Sequence, residues 1–301
     1  MALQLLGAVQ LGFLYALMAL GVYVTFRILD LPDLTVDGSI TLGMAVSAVV
    51  SVSGHPFLAL VLGMIAGAAA GLVTGALQTK LSIHPILAGI LTMTGLYTIN
   101  LFVMGEKSNI SLTGKDTVFS LFQKWFGLNA EACKLIIPIL LVVIVTVILA
   151  VFFRTKTGMA IRATGDNEEM VRSSSINANL SKCLGLAIGN ACVGLAGAAI
   201  CQYQLFADVS YGTGMVVIGL ASVIIGETVV GKRGVTGGLT AAIVGAVIYR
   251  IIIAIALKFS IFPAYALKLI SSVIVGIALA MPVIKASFNE RKARKQVNKN
   301  E

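Results

Sequence analysis

Charge is what this chain has least of: 12% of its 301 residues are Asp, Glu, Lys or Arg, where soluble domains carry about 25%. A soluble globular fold is excluded, because so few polar side chains cannot cover a water-facing surface. Histidine is nearly absent, with His55 and His84 alone, and the four cysteines, Cys133, Cys183, Cys192 and Cys201, form no Cys-x-x-Cys pair. Neither a metal cluster nor a disulfide framework is therefore expected. Three of those cysteines share one apolar run, where they suit small packing positions. No basic region precedes the first apolar run and no convincing cleavage site follows it, so that run is expected to be a retained span and not a signal peptide. A nucleophile–base set is also missing. The nearest thing to a nucleotide loop, Gly226-Glu-Thr-Val-Val-Gly-Lys232-Arg233, has Arg233 where a phosphate loop needs a Ser or Thr for magnesium, and it follows an apolar run instead of a strand. No catalytic residue, metal ligand or cofactor of its own is assigned to the chain, and it is not expected to be an enzyme.

What the chain has in excess is apolar length. Hydrophobic residues make up 58% of it and the mean hydropathy is +0.97. A membrane span needs about 20 apolar residues, and nine stretches qualify: 3–26, 38–53, 57–77, 85–104, 135–153, 183–205, 214–230, 235–256 and 265–284. The fold class is thus an all-α polytopic membrane protein with about nine transmembrane helices, eight to ten. The segments near 38–53 and 214–230 are short, which admits a bent or re-entrant form. Residues 1–284 make the transmembrane domain, 154–181 a polar loop within it, and 285–301 a basic tail. Placing 154–181 in the cytoplasm puts Arg27, Lys80, Lys232, Arg233 and the tail on the same side by alternation. Lys107, Lys115, Lys124, Lys134, Lys258 and Lys268 fall outside, and the bias agrees with the positive-inside rule. The net charge of +9 is then mostly topology. The tail follows a span directly, which favours anionic lipid heads as its neighbour over nucleic acid.

Polar residues inside spans are costly and therefore informative. Asp37 and Ser39 open the second span. Either could cap the helix start, and either could line a solute path. Asn100 in the fourth span fits a bond across helices or a path lining. Glu227, at the end of the seventh span, is expected to be neutralised by Lys232 or Arg233. Arg250 in the eighth is either functional or snorkelling toward the outer face. Gly63, Gly67, Gly71 and Gly75 stand four apart on one face of the third span, a pattern that lets helix backbones approach closely. Phe119, Phe122 and Phe126, with Leu121 and Trp125, have the spacing of a short interfacial helix in the outer loop.

The loop 154–181 carries Asp166 and Glu169 at capping-box spacing, then Met170 and Val171 as an exposed apolar spot, with Ile176 further on. An ordinary solvated loop and a docking surface both fit that pattern. Gly165-Asp166-Asn167-Glu168-Glu169, Ser175-Ile176-Asn177 and Gly194-Leu195-Ala196-Gly197-Ala198 resemble the coupling-loop region of bacterial ABC-importer permeases, in the branched-chain amino-acid and ribose permease superfamily. The resemblance extends from about Leu3 to Ile284. It includes Asp33-Leu-Thr-Val-Asp-Gly-Ser39, which resembles the Asp-Leu-Ser-Val-Gly-Ser motif of ribose-type permeases with Asp37 inserted. The family usually has Gly at the position of Ser175, and many members have Gly at that of Glu227.

That resemblance implies a permease of the bacterial cell membrane, paired with a second copy of itself. It implies cytoplasmic ATPase subunits that hold the ATP and Mg, and an extracellular or periplasmic substrate-binding lipoprotein. It further implies that Gly165, Asp166, Glu169, Met170, Val171, Ile176 and Asn177 contact the ATPase. Asp37, Ser39, Asn100, Glu227 and Arg250 are the candidates for the path. The form of the Asp33–Ser39 segment is similar to a subgroup that takes up amino acids, aromatic ones included. The alternative is a stand-alone secondary transporter using Asp37, Glu227 or Arg250 for ion coupling, which predicts an internal inverted repeat; no convincing one is visible between the halves.

Overall fold

The structure is a computed structural model that describes residues 2–258 except 128, 232 and 233, together with the isolated positions 273, 276 and 280. The expected ninth span, 265–284, lies outside the described residues apart from those three positions, and so does the tail 285–301. Among the described residues seven helices are long and apolar enough to cross a membrane. They are α1 (Ala2–Tyr23, extended by a π-helical turn, Val24–Ile28), α2 (Thr35–Val52), α3 (Pro56–Lys80), α4 (Pro85–Val103), α6 (Ala130–Phe152), α9 (Ala178–Gln204) and α11 (Gly234–Lys258). The short helices are α5 (Val118–Phe126), α7 (Lys156–Asp166), α8 (Glu168–Ser173) and α10 (Met215–Val230). Of the two doubtful spans, α2 is one continuous helix of 18 residues that starts at Thr35. Helix α10 has 16 residues, too few to cross about 30 Å of hydrocarbon unaided. Prolines open α3 and α4, where a missing N–H costs nothing.

Burial identifies the central helix. α9 is 78% buried, against 28% for α4 and for α6, so α9 is the axis and the other two are periphery. The outer side of α6, with Leu140, Val143, Ile144, Val147, Ile148 and Val151, is exposed, an apolar surface suited to lipid. The glycine face of α3 is a packing face, as its spacing predicts. A Cβ at Gly67 would land on the Asn190 carbonyl oxygen and one at Gly71 on that of Leu186. On α9, a Cβ at Gly194 would meet the Gly63 carbonyl of α3, while one at Gly43 of α2 would meet the Gly194 carbonyl and one at Gly197 the Ile40 carbonyl of α2. Backbones this close replace the hydrophobic drive that helices lack in lipid with dense van der Waals contact.

Two features close one end of the bundle. Strands β1 (Asn109–Ser111) and β2 (Phe206–Asp208) pair antiparallel, with Ile110 opposite Ala207, adding a small sheet to the otherwise helical fold. Helix α5 forms where the aromatic spacing predicts it. A capping box of Thr117 and Ser120 starts it and left-handed Gly127 ends it. Its Trp125 stacks on Phe57 at 5.7 Å, and Gln202 of α9 accepts a hydrogen bond from Val118 N. At the opposite end, Arg27 meets Glu227 and Gly165 abuts the Ile28 carbonyl. These pairings put the end of α1, the 154–181 stretch and the end of α10 on one side, as the charge alternation requires.

Candidate functional site

Asp33, Thr35, Thr74, Thr92 and Asn100 are buried polar residues gathered around the start of α2. Asp33, buried, accepts from Thr35 N at 2.9 Å and from Asn190 Nδ2 at 2.7 Å. It thereby satisfies the start of α2, whose N-cap residue Leu34 offers no side-chain oxygen. The expectation that Asp37 or Ser39 caps this helix is corrected, because Asp33 does so. Behind it, the hydroxyls of Thr35, Thr74 and Thr92 link α2, α3 and α4 at 2.7 and 2.9 Å.

Asp37 lies in the first turn of α2 and serves a different helix. Its Oδ2 accepts from Gly214 N and its Oδ1 from Val216 N, each at 2.8 Å. The chain leaves β2, donates from Gly212 N to Thr41 Oγ1, turns at Gly214 (φ 85°) and starts α10. In hydrocarbon no water satisfies the first N–H groups of a helix, and these carry partial positive charge. A carboxylate from a neighbouring helix supplies both acceptor and countercharge. Asn100, 1% exposed, donates weakly from Nδ2 to Gly38 O at 3.4 Å, while its Oδ1 has no hydrogen-bond partner among the described residues. Asp37, Gly38, Met93, Thr94, Tyr97, Asn100 and Thr213 line a cavity of about 190 Å³. Ser39 is buried and does not line it.

Glu227 and Arg250 stand apart from this cavity. Glu227 accepts from Arg27, Nε at 2.7 Å and Nη2 as well. Its partner among the described residues is thus Arg27 on the π turn of α1; the expected Lys232 and Arg233 lie outside the described residues. A π turn shifts the register of a helix, and Arg27 sits within that turn. Arg250 lies over the Tyr15 ring, 4.3 Å from its centroid, half-buried, and Tyr15 shares a hydrogen bond of 2.8 Å with Tyr211. Arg250 also borders a second cavity of about 300 Å³ with Gln4 and Leu11. Asp37 and Glu227 therefore hold opposite ends of α10, an arrangement that no local sequence pattern announces.

The polar stretch 154–181 is helical over most of its length. Thr155 caps α7 through Gly158 N, Asn167 caps α8 through Met170 N at 3.0 Å, and Asn177 caps α9 through Leu180 N at 3.0 Å. The expected Asp166–Glu169 capping box does not form. Asp166 is the last residue of α7, and Asn167 N still donates to Ala163 O. The first residue free to leave helical backbone, at φ −160° and ψ 101°, is Asn167. Glu168, not Glu169, carries the ion pairs, to Lys182 at 2.5 Å and Arg172 at 2.8 Å. The hydrogen bond from Lys182, helped by Arg172, holds its carboxyl below the usual range.

The apolar spot is corrected as well: Val171 is 1% exposed and points inward, while Met170 is 58% exposed. Met159, Ile176 and Leu180 join Met170 at the surface. Met159 and Leu180 had no sequence signal, since nothing in the pattern tells which face of α7 or of the first turn of α9 is free. Ser175 stands in the left-handed region at φ 59°, so the turn favours glycine even though the residue is serine.

With this geometry in place, comparisons with known proteins are informative. Residues 4–284 match the family described as branched-chain amino acid transport system / permease component. The tyrosine transport system permease protein of Clostridioides difficile (strain R20291) is 37% identical over 284 residues, 94% of this chain and 92% of that one. The ribose import permease protein RbsC of Escherichia coli (strain K12) is 28% identical over 219 residues, 70% of this chain and 66% of that one. The fructose import permease protein FruF of Bifidobacterium longum (strain NCC 2705) is 24% identical over 257 residues, 84% and 71%. No solved structure matches the chain.

Proposed function

The chain belongs to the branched-chain amino acid transport system permease family, and from that premise we propose that it is the membrane subunit of an ATP-driven importer of amino acids, aromatic ones included. It is a multi-pass cell-membrane permease. In this reading two copies form the path, an external binding protein delivers the solute, and two cytoplasmic ATPase subunits hold the ATP and Mg. The amino-acid reading is favoured over sugars because the tyrosine permease is the more similar relative, at 37% against 28% and 24%.

The observation that carries the coupling role is the build of 156–180. Helices α7 and α8 are tied to the spans through Gly165 on Ile28 and Glu168 on Lys182, and they leave Met159, Met170 and Leu180 exposed. A rigid attachment with a free apolar face transmits a push. ATP binding shifts the path between its two states only by docking on this face with different affinity in each.

The test is Met170→Asp in the assembled transporter. A carboxylate forced into a dry contact costs on the order of several kcal/mol. The ATPase should detach, or its hydrolysis should stop responding to solute-loaded binding protein. Full ATPase retention with full uptake would overturn the coupling assignment. Val171 is not a suitable probe, because its side chain is buried and a charge there would disturb folding.

A further inference from the structure

The cavity beside Asp37 brings a carboxylate and an unpartnered amide oxygen to one wall. The Asp37 carboxylate spends one acceptor position per oxygen on Gly214 N and Val216 N, out of about four in all. The start of α10 offsets only about half of its negative charge. Beside it, Asn100 Oδ1 is buried and without a partner among the described residues. On the same wall, Thr94 Oγ1 donates to Ile90 O and is already committed. A buried acceptor left without a donor is unfavourable; Asn100 Oδ1 is one, and beside it the Asp37 carboxylate keeps a negative charge and spare acceptor positions, which together define what would complete the cavity. That group is a donor with positive charge. An anion would be repelled by Asp37. The apolar part of the lining is Met93 and the Tyr97 ring, surfaces that suit an aromatic or thioether contact. At about 190 Å³ the space is below the ~300–1,000 Å³ of a drug-sized pocket and fits one small solute.

We propose that this cavity, between α2 and α4 at the start of α10, binds the primary ammonium group of an amino acid, with Asp37 and Asn100 Oδ1 as its acceptors and Tyr97 against its side chain. The proposal rests on the amino-acid reading above and adds to it the group that is recognised and the residues that recognise it. Asp37 then has two duties: it anchors α10 and it offers its remaining lone pairs to the solute. Ammonium binding and the position of α10 are linked through one carboxylate.

The experiment uses the full chain in lipid nanodiscs carrying Thr94→Cys, and reads the rate of maleimide labelling at that position against the parent chain. The probes are L-tyrosine, tyramine (ammonium without carboxylate), 3-(4-hydroxyphenyl)propionate (carboxylate without ammonium) and D-ribose. L-Tyrosine and tyramine should slow labelling, and the propionate and ribose should not. Asp37→Asn retains a capping side chain but removes the charge, so it should abolish protection by tyramine. In the reconstituted transporter it should raise the KM for L-tyrosine by ~10-fold or more. Should Asp37→Asn fail to fold, Asn100→Leu and Tyr97→Leu carry the same expectation of lost protection.

Equal protection by the propionate and by tyramine would overturn the ammonium assignment. So would absent protection in a transporter that imports L-tyrosine normally. A wild-type assembly that imports ribose and not L-tyrosine defeats the amino-acid reading instead, and tyramine labelling then reports on the cavity separately.

Discussion

In the polar loop, α7, α8 and α9 each start on a side chain next to their own first turn: Thr155, Asn167 and Asn177. Inside the bundle, α10 starts on Asp37, 177 residues away in sequence from Gly214, and the acceptor at the start of α2 also binds Asn190 of α9. Solvent accounts for the difference. A helix start exposed to water has water as its fallback, so a cap there tunes local shape and contributes about 1 kcal/mol. In hydrocarbon there is no fallback, and an interior cap becomes a tie between helices. Loop caps hold one helix each, whereas interior caps decide where helices sit relative to one another.

Asp37→Ala is the hardest test of that contrast. It leaves two N–H groups without acceptors in a low dielectric, a cost on the order of several kcal/mol. Little folded protein should survive extraction, while Asp37→Asn should retain most of it. Equal yield and equal melting temperature for Asp37→Ala and the parent would erase the distinction between interior and loop caps. Asn167→Ala sharpens it from the other side, with an expected loss of about 1 kcal/mol. Hydrogen exchange should quicken in 168–173 and stay unchanged in the spans; faster exchange in α9 would mean that loop caps also act as ties.

The smallest effect is expected from pH. The Glu168 carboxyl is held low by Lys182 and Arg172, so the folded state favours its charged form. Its contribution is present above the ordinary carboxylate value and fades as pH falls through the depressed folded value. Exchange protection of α8 should drop over that acidic window, and added salt should weaken the contribution. Lys182→Met should remove most of the pH response, and a response unchanged in that variant would show that Lys182 is not its source.

Much of the fold was legible in the sequence because the cause lay within a few residues. Glycines four apart on α3 are a packing face in any neighbourhood that brings a second helix. The aromatic spacing in 119–126 was enough to find α5. Where acceptors crowd together, the sequence was ambiguous: Asp166 and Asn167 both can cap, and only the packing of Gly165 on Ile28 decides that α7 runs one residue further. Likewise Met170 and Val171 are adjacent apolar residues, and only the packing of the folded loop makes Val171 the buried one.

What the sequence determined by itself is the class of the molecule. Too little charge and too much apolar length leave only membrane helices, and the scatter of basic residues sets their sides. Pairing was beyond it. That Arg27 meets Glu227, that Asp37 holds the start of α10, and that Asn100 shares a cavity with Asp37 were decided by the packing of helices around α9. Periodicity and capping act over one or two turns of chain. An ion pair, a remote cap or a solute cavity depends instead on distances through space between segments far apart in sequence, and those distances exist only once the bundle has formed.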